Sequence, residues 1–413
     1  MNIKSLILGS ATAALAATGA QAADAIVIAE PEPVEYVRVC DVYGAGFFYI
    51  PGTETCLRIG AEIRHQVGTA DSDAGGAASN FYGFVEDTWN SHSRIRLFVD
   101  ARSETEYGQL RGYARIDSAR TSGLSGITAT GLAAADGTYL NHAWLSLGGF
   151  RAGWTDSAWV SVPQGGVAAG GSHSDTGLDY AYQQAHLIQY NFSGSNGFFG
   201  TISLEDDNDG NYAAPYFADR NYIPNVVGVV GVNQGWGGAW LKVGFDENRL
   251  AINPLTLLPV DDSGFGVQAG LHYNIPGAPG SSFRLLGFYA DSDNKYNPMT
   301  GTGHARWDAA GGLLSPDSIL VGGPEWSIQA SYHHQFNAQF GASIGVQYFN
   351  DFYFAGTDVS TGLDGWALEL VGVWTPVKDF TVRTEVVYSD FDTLAPGVDG
   401  DSLSGWVRFS RFF

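Results

Sequence analysis

Arginines recur at even spacings within several stretches between residues 58 and 151, and this pattern is the one best suited to chemistry. Alternate residues of an extended strand point to the same face, so even spacing gathers the arginines on one surface. A dense row of guanidinium groups is costly unless water hydrates it or carboxylates face it. The arginines that share this water-facing parity are Arg58, Arg64, Arg94, Arg96, Arg102, Arg111, Arg115 and Arg151.

Three carboxylates, Glu62, Asp100 and Asp117, lie in the same stretches as these arginines. Two interpretations are open, and they are compatible with each other. The guanidinium groups act on passing ions and polar solutes through their electric field, or they only pair with the carboxylates and stiffen the wall. Counting along the first three strands places Arg64, Arg96 and Arg115 near mid-height on neighbouring strands.

Motifs for catalysis or metal binding are weak in this sequence. Residues 341–345 match the G-x-S-x-G nucleophile pattern, but they lie inside an alternating strand rather than at a strand-to-helix turn. His333 and His334 point to opposite faces of one strand. The acidic run at 206–210 lacks the glutamate that a calcium loop needs further on. The sequence therefore predicts no enzymatic activity, no metal site and no cofactor.

Alternating stretches of about ten residues, the length that a tilted strand needs to cross a bilayer, continue from residue 55 onward. One face of each stretch suits lipid and the other suits water, as where Ile95 and Leu97 alternate with Arg94 and Arg96. We predict sixteen strands, near residues 55–67, 93–103, 108–118, 139–147, 150–155, 185–192, 198–205, 225–233, 239–246, 263–274, 282–291, 326–335, 340–349, 365–374, 380–390 and 403–413.

The connections between these strands alternate between long and short, and Gly148-Gly149 and 375–379 are examples of the short, turn-like kind. Such alternation is typical of an up-and-down barrel with one plain rim and one rim of loops. A propeller or sandwich would show more even turns and blade repeats. The sequence therefore predicts an all-β fold, a 16-stranded antiparallel up-and-down transmembrane β-barrel, and a barrel of this size encloses an aqueous channel.

Both ends of the chain fit a protein of the cell outer membrane in a Gram-negative bacterium. Lys4 precedes an alanine-rich apolar stretch, and Ala20-Gln21-Ala22 fits a signal-peptide cleavage site, so residues 1–22 are predicted to be a signal peptide. The last strand ends on the aromatic Phe413 and must pair with the first strand to close a barrel. We expect residues 23–54 to form a periplasmic N-terminal arm and residues 55–413 to form the barrel.

Composition restricts the partners and the covalent chemistry. The net charge of −22 argues against nucleic acid as a partner. Acidic residues concentrate in the long connections. Either they bind divalent cations that bridge to lipopolysaccharide, or they are simply solvated.

Cys40 and Cys56 are the two cysteines, and an exported chain favours a disulfide between them, worth about 3 kcal/mol in the chain-entropy model. The alternative is two buried thiols.

The segment that joins the two cysteines resembles the opening motif of the alphaproteobacterial general diffusion porins of Rhizobium- and Brucella-type outer membranes. The resemblance implies a homotrimer that carries a constriction loop in its lumen. The terminal Phe413 is similar to the sorting signal that the barrel assembly machinery reads. Relatives usually follow the motif with a second glycine and an aromatic, whereas Ala61 and Glu62 stand here. The motif reads Val39-Cys-Asp-Val-Tyr-Gly-Ala-Gly-Phe-Phe-Tyr-Ile-Pro-Gly-Thr-Glu-Thr-Cys-Leu-Arg-Ile-Gly60.

The same resemblance assigns the constriction to the third long connection, residues 156–184. This connection supplies Asp156, Asp175 and Asp179, which we expect to face the arginines. Opposed rows of charge across a narrow lumen create a transverse field that orients polar solutes and disfavours apolar ones.

The sequence favours passive diffusion of small hydrophilic solutes and ions. The alternative is a substrate-selective channel for a sugar or a small organic ion, which would need an aromatic track along the lumen. Trp144, Trp240 and Phe349 share the inward parity but lie on non-adjacent strands, so no track is expected.

Overall fold

The computed structural model describes residues 38–72, 89–121, 137–160, 171–175, 178–206, 223–252, 259–298, 321–354, 357–394 and 400–413. The predicted signal peptide, residues 1–22, and residues 23–37 of the predicted arm lie outside these ranges. Within them, no helix has the length and apolar character to cross a membrane.

Sixteen long strands, β1 to β16, make up most of the described residues, and each of the sixteen predicted strands is confirmed. They are β1 Cys56–Ser72, β2 Trp89–Thr105, β3 Gly108–Thr121, β4 Gly137–Leu147, β5 Phe150–Asp156, β6 Gln184–Ser193, β7 Phe198–Glu205, β8 Asn225–Gln234, β9 Gly237–Ile252, β10 Pro259–Asn274, β11 Ser282–Ala290, β12 Val321–Gln335, β13 Phe340–Phe354, β14 Gly365–Val377, β15 Phe380–Phe391 and β16 Ser402–Phe412.

Each strand pairs antiparallel with the next, and β16 pairs with β1 to close the sheet into a barrel. The closing register runs from Ser402 opposite Ser72 to Phe412 opposite Glu62. Beyond it, the backbones of Ala61 and Phe413 exchange two hydrogen bonds of 2.7 and 3.0 Å. The last residue is therefore part of the seam, and the barrel leaves no unpaired edge there.

Several strands extend further toward the long connections than the sequence predicts. Strands β9 and β10 pair beyond Asp246 as far as Ile252 and Pro259, after a register shift between Asp246 and Arg249. The plain rim keeps tight turns, of which Gly148 is the clearest example. Its φ is +56°, and an added Cβ would lie 2.7 Å from the carbonyl oxygen of Tyr107, so both the backbone angle and the space require glycine.

The two faces of the sheet are inverted relative to a water-soluble protein. Outward-facing Ile63, Ile95 and Leu97 are exposed, whereas inward-facing Gln189 and Gln347 are buried. This distribution confirms the predicted parity and presents an apolar surface to lipid.

The end of the N-terminal arm is held by the predicted disulfide between Cys40 and Cys56, whose Cα atoms lie 6.0 Å apart. Two residues of the arm, Phe48 and Tyr49, pair with the first residues of β1. Phe47 is buried against the disulfide and lies within 5.1 Å of the Arg58 guanidinium. The arm thus packs against inward-facing side chains at the plain rim.

Candidate functional site

The predicted arginines come together on the inward faces of β1 to β5, a surface that we call the arginine wall. Antiparallel pairing sets Arg64 opposite Arg94, and it sets Arg96 opposite Glu62 on one side and Asp117 on the other. The cluster therefore follows from the pairing of strands that are consecutive in the chain and whose arginines point to the same face.

Asp117 is fully buried at the centre of the wall and accepts two hydrogen bonds from Arg96, at 2.8 and 2.7 Å. Arg94 approaches the same carboxylate to 3.5 Å. A guanidinium and a carboxylate joined by two parallel bonds hold each other in a fixed orientation. The Arg96 side chain is therefore rigid although it lines water.

Glu62 and Asp100 form the other two pairing centres. Glu62 accepts from Arg64 at 3.0 Å and from Arg94 at 3.3 Å. Asp100 is fully buried between Arg102 and Arg111, each of which donates two hydrogen bonds of 2.6–2.9 Å. Six of the eight arginines pair with these three carboxylates, so the wall is both stiffened by ion pairs and strongly cationic.

Arg115 has a neutral partner, because β4 contains a bulge that the sequence analysis missed. The register shifts between Arg115 and Ile116, which turns both Asn141 and His142 inward. Arg115 donates through Nε to the Asn141 side-chain oxygen at 2.7 Å, and the Asn141 amide donates to Asp117 at 3.3 Å. Two adjacent polar residues in an otherwise alternating strand were the signal for this bulge.

Three aromatic side chains form a row on β2, β3 and β4. The ring centroids of Phe98 and Tyr113 lie 6.4 Å apart, and those of Tyr113 and Trp144 lie 5.3 Å apart. The sequence analysis predicted no aromatic track from Trp144, Trp240 and Phe349, and it missed that Phe98 and Tyr113 lie beside Trp144. Arg111 and Arg151 lie 4.8 and 4.4 Å from the Trp144 centroid, so guanidinium groups cover that ring.

The connection between β5 and β6 enters the barrel, and we call its described parts, 157–160, 171–175 and 178–183, the lumen loop. Its first turn is held by β7 and β9. The Ala158 amide donates to Glu205 at 2.9 Å, and the buried Lys242 ammonium donates to the Trp159 carbonyl at 2.5 Å. The Trp159 ring, also fully buried, packs 4.8 Å from Tyr296.

The middle of the lumen loop crosses to β11, β12, β15 and β16. His173 hydrogen-bonds to Ser331 at 2.9 Å and to Ser282 at 2.8 Å. Burial and the nearby Arg284 lower the pKa of His173, so the imidazole is neutral and one ring nitrogen accepts. Arg284 donates to the Ser172 carbonyl at 2.5 Å.

Asp175 reaches the far end of this crossing. Its carboxylate accepts from Arg408 and lies 3.9 Å from Arg64, and its amide donates to Glu385 at 2.8 Å. The enclosed position alone would raise the pKa of Asp175, but Arg408, Arg64 and Arg383 together hold it well below its ordinary value. Asp175 therefore stays ionised and ties the loop to β16.

Asp179 and Asp156 occupy different positions. Asp179 is buried, accepts from the Ala181 amide at 2.7 Å, and donates its own amide to Gln347 at 2.8 Å. Asp156, the last residue of β5, accepts from Tyr182 at 2.9 Å and lies 3.7 Å from His142. Burial and this carboxylate raise the pKa of Tyr182, so its hydroxyl is a neutral donor.

The inward faces of β7, β9, β11 to β13, β15 and β16 thus hold the loop, and we call them the loop-bearing wall. Within the described ranges, no group of three or more histidines, cysteines or acidic residues is arranged to hold a metal ion. The lumen instead presents fixed charges and hydrogen-bonding groups, which is chemistry for selecting solutes in transit.

Known proteins share this architecture. A solved outer membrane channel, DcaP of Acinetobacter baumannii, superposes with a TM-score of 0.63 at 14% identity over 88% of this chain and 99% of its own. OmpT of Vibrio cholerae, solved in a trimer form, gives a TM-score of 0.51 at 11% identity over 87% and 100%. At these identities the similarity concerns the fold alone.

Sequence similarity is more specific. Porin Omp2b of Brucella abortus is 42% identical over 254 residues, which cover 60% of this chain and 67% of the Brucella protein. A family model described as a porin subfamily matches residues 24–405, nearly the whole chain. The protein with the arginine wall and the lumen loop therefore belongs to this porin family and is a β-barrel channel of the outer membrane.

Proposed function

We propose that small hydrophilic solutes and ions diffuse passively through this barrel, and that the narrowest passage lies between the arginine wall and the lumen loop. The observation that carries the proposal is the path of the loop, which is attached to one wall by contacts on seven strands and approaches the arginine wall at Asp175, 3.9 Å from Arg64. We propose that Asn141 and Tyr182 join the predicted residues in lining this passage.

The field in this passage depends on both walls. The arginine wall has eight arginines and three carboxylates, so its net charge is positive. Asp156 places a negative charge on the loop side. At 0.01 M salt the Debye length is ~30 Å, so acidic loops at the outer rim act across the mouth and enrich cations. At 1 M it falls to ~3 Å, and only groups at the narrowest point still act. We expect a cation preference in dilute salt that weakens or reverses as salt rises.

Reversal potentials across planar bilayers, measured at two mean salt concentrations, test this. The variant Arg96→Ala with Arg115→Ala should strengthen the cation preference and widen the pore slightly. Arg411→Ala is the matched control, because Arg411 lies on the outer face at the plain rim and pairs with Asp379 at 3.7 Å. A selectivity independent of salt and of both wall arginines would contradict the proposal.

A substrate-selective channel is the second candidate, and the row of Phe98, Tyr113 and Trp144 favours it. Sugars stack on exposed aromatic faces, but guanidinium groups cover part of this row. Titration of the open channel with neutral sugars separates the two functions. Saturable block by one sugar supports the selective channel, and unchanged ohmic steps support general diffusion.

The assembly of the protein is also a proposal. We propose a homotrimer in outer-membrane lipid and lipopolysaccharide, formed after residues 1–22 are cleaved, with residues 23–54 on the periplasmic side. The barrel assembly machinery would recognise the strand that ends at Phe413. Deleting Phe413 should lower the amount of trimer in outer membranes more than the stability of the trimer that forms. Wild-type amounts of trimer from the truncated gene would contradict this role.

A further inference from the structure

A cavity of about 850 Å³ lies between the lumen loop and the plain rim, beside the loop-bearing wall. Residues 171–175 of the loop border it on one side, and Gly280 and Gln339 of the short turns border it on the other. Arg284 of β11, His333 of β12 and Arg383 of β15 line it. These residues belong to neither the arginine wall nor its carboxylate pairs.

Neutral groups hold the Arg284 side chain. Its Nε donates to Nδ1 of His272 at 3.2 Å, and its Nη1 donates to the carbonyl oxygens of Ser172 and Gly171 at 2.5 and 3.5 Å. His272 in turn contacts Asn274 through Nε2 at 3.1 Å, which fits a neutral ring with its proton on that nitrogen. Two of the three guanidinium nitrogens are thereby oriented, and Nη2 has no hydrogen-bond partner among the described residues.

Arg383 is bound to the same loop segment and lines the same cavity. Its Nη1 donates to Glu385 at 2.7 Å and to the carbonyl oxygen of His173 at 3.4 Å. Arg284 and Arg383 thus bind consecutive carbonyls of the loop, those of Ser172 and His173. The other nitrogens of Arg383 make no hydrogen bond to the described residues, and they remain available to the cavity.

The carboxylates around the cavity are either engaged or set back. Glu385 is bound by Arg383 and by the Asp175 amide, and Asp175 is bound by Arg408. Glu369 is fully buried and acts on Arg284 electrostatically, and Asp156, which borders the cavity, accepts from Tyr182. Among the described residues, no carboxylate forms an ion pair with Arg284 within 4.0 Å, and its Nη2 is open to an ion from solution.

We propose that this cavity binds the oxyanion of a small solute, a carboxylate or a phosphate group, between the guanidinium groups of Arg284 and Arg383. Planar guanidinium groups match the spacing of paired oxygens, and both arginines have nitrogens without a hydrogen-bond partner among the described residues. The inference deepens the proposed diffusion function, because a solute reaches the cavity only through the lumen. The solutes bound in the cavity would be anions of the size of small metabolites.

Binding is tested directly with inorganic phosphate and the detergent-solubilised trimer, by the broadening of the phosphorus-31 resonance at constant pH and low chloride. The wild-type protein should broaden the line, and added acetate should reverse the broadening if carboxylates bind the same site. Arg284→Ala and Arg383→Ala should each weaken phosphate binding about tenfold, the usual value of one charge-assisted hydrogen bond. Arg284→Lys keeps the positive charge but loses the planar guanidinium group, so its phosphate affinity should lie between those of the alanine variants and the wild type.

Arg411→Ala is again the control, since it removes the same charge at the same rim outside the cavity. Gel migration of each variant before heating shows whether the barrel has folded. If Arg284→Ala does not fold, phosphate binding by Arg383→Ala tests the inference. Wild-type broadening in both alanine variants, or an equal loss in Arg411→Ala, would overturn the inference. Conductance of the same preparations is measured separately, so phosphate binding by closed channels would contradict the diffusion function and not this site.

Discussion

The arginine wall and the loop-bearing wall face each other across one lumen but are stabilised in different ways. On the arginine wall, ion pairs join neighbouring strands, and the partners lie close in sequence, as with Arg96 and Asp117, 21 residues apart. On the loop-bearing wall, backbone groups of the lumen loop meet side chains far along the chain, such as Asp179 and Gln347, 168 residues apart. We propose that the first wall sets the charge of the passage and that the second sets its width.

The largest effect that separates the walls is expected at Lys242, the buried anchor of the lumen loop. Lys242→Met leaves the Trp159 carbonyl without its donor and Glu205 without its nearby cation. Each buried polar group that loses its partner costs about 1–3 kcal/mol, and two groups are affected here. Urea unfolding in lipid vesicles measures the loss, and conductance should rise as the loop loosens. Lys378→Met, at an exposed turn, is the control and should change stability by less than about 0.5 kcal/mol. Equal stability of the two variants would show that the loop needs no anchor at β9.

A smaller effect is expected on the arginine wall itself. Asp117→Asn keeps the shape of the side chain but removes the charge that Arg96 and Arg94 share. The free energy of unfolding should fall by about 1–3 kcal/mol, because a buried charged group loses its partner. Reversal potentials should shift toward anions, opposite in sign to the arginine variants. Asp379→Asn, which breaks the exposed pair with Arg411, should cost no more than about 1 kcal/mol and leave selectivity unchanged. A shift toward cations in Asp117→Asn would mean that this wall does not set the field.

The smallest effect concerns pH and the lumen loop. The pKa of Asp175 is lowered in the folded protein, chiefly by Arg408 once the opposing effect of burial is overcome. Its contribution to stability is therefore complete above the ordinary aspartate pKa of about 3.9 and is lost only as pH falls through the lowered value. We expect single-channel conductance to stay constant between pH 7 and about 5, and the loop to loosen only in stronger acid. Asp175→Asn should show the loosened conductance already at pH 7. A wild-type transition near pH 6 would show that another group controls the loop.

The contrast between the walls also explains which predictions from the sequence were accurate. All sixteen strands follow from alternation, and so does the shared face of Arg96 and Asp117, because a period of two decides which side chains point to the same side. The bulge at Asn141 breaks that period within β4, so the partner of Arg115 and the inward turn of His142 escaped the same reasoning. The aromatic row was missed because it needs three strands in register, not one strand with the right parity.

The sequence alone determined that this chain forms a closed barrel of sixteen strands with an apolar exterior and a cationic inner stretch, since these depend on local alternation and on the need to satisfy every backbone group in lipid. It also determined the disulfide, because two cysteines in an exported chain leave one pairing. Only the tertiary structure decided where the lumen loop runs, which aspartates tie it down, and that Arg284 and Arg383 meet across one cavity. The physical reason is that such contacts join residues about a hundred positions or more apart, and no periodicity in a sequence specifies the distance between a loop and a wall.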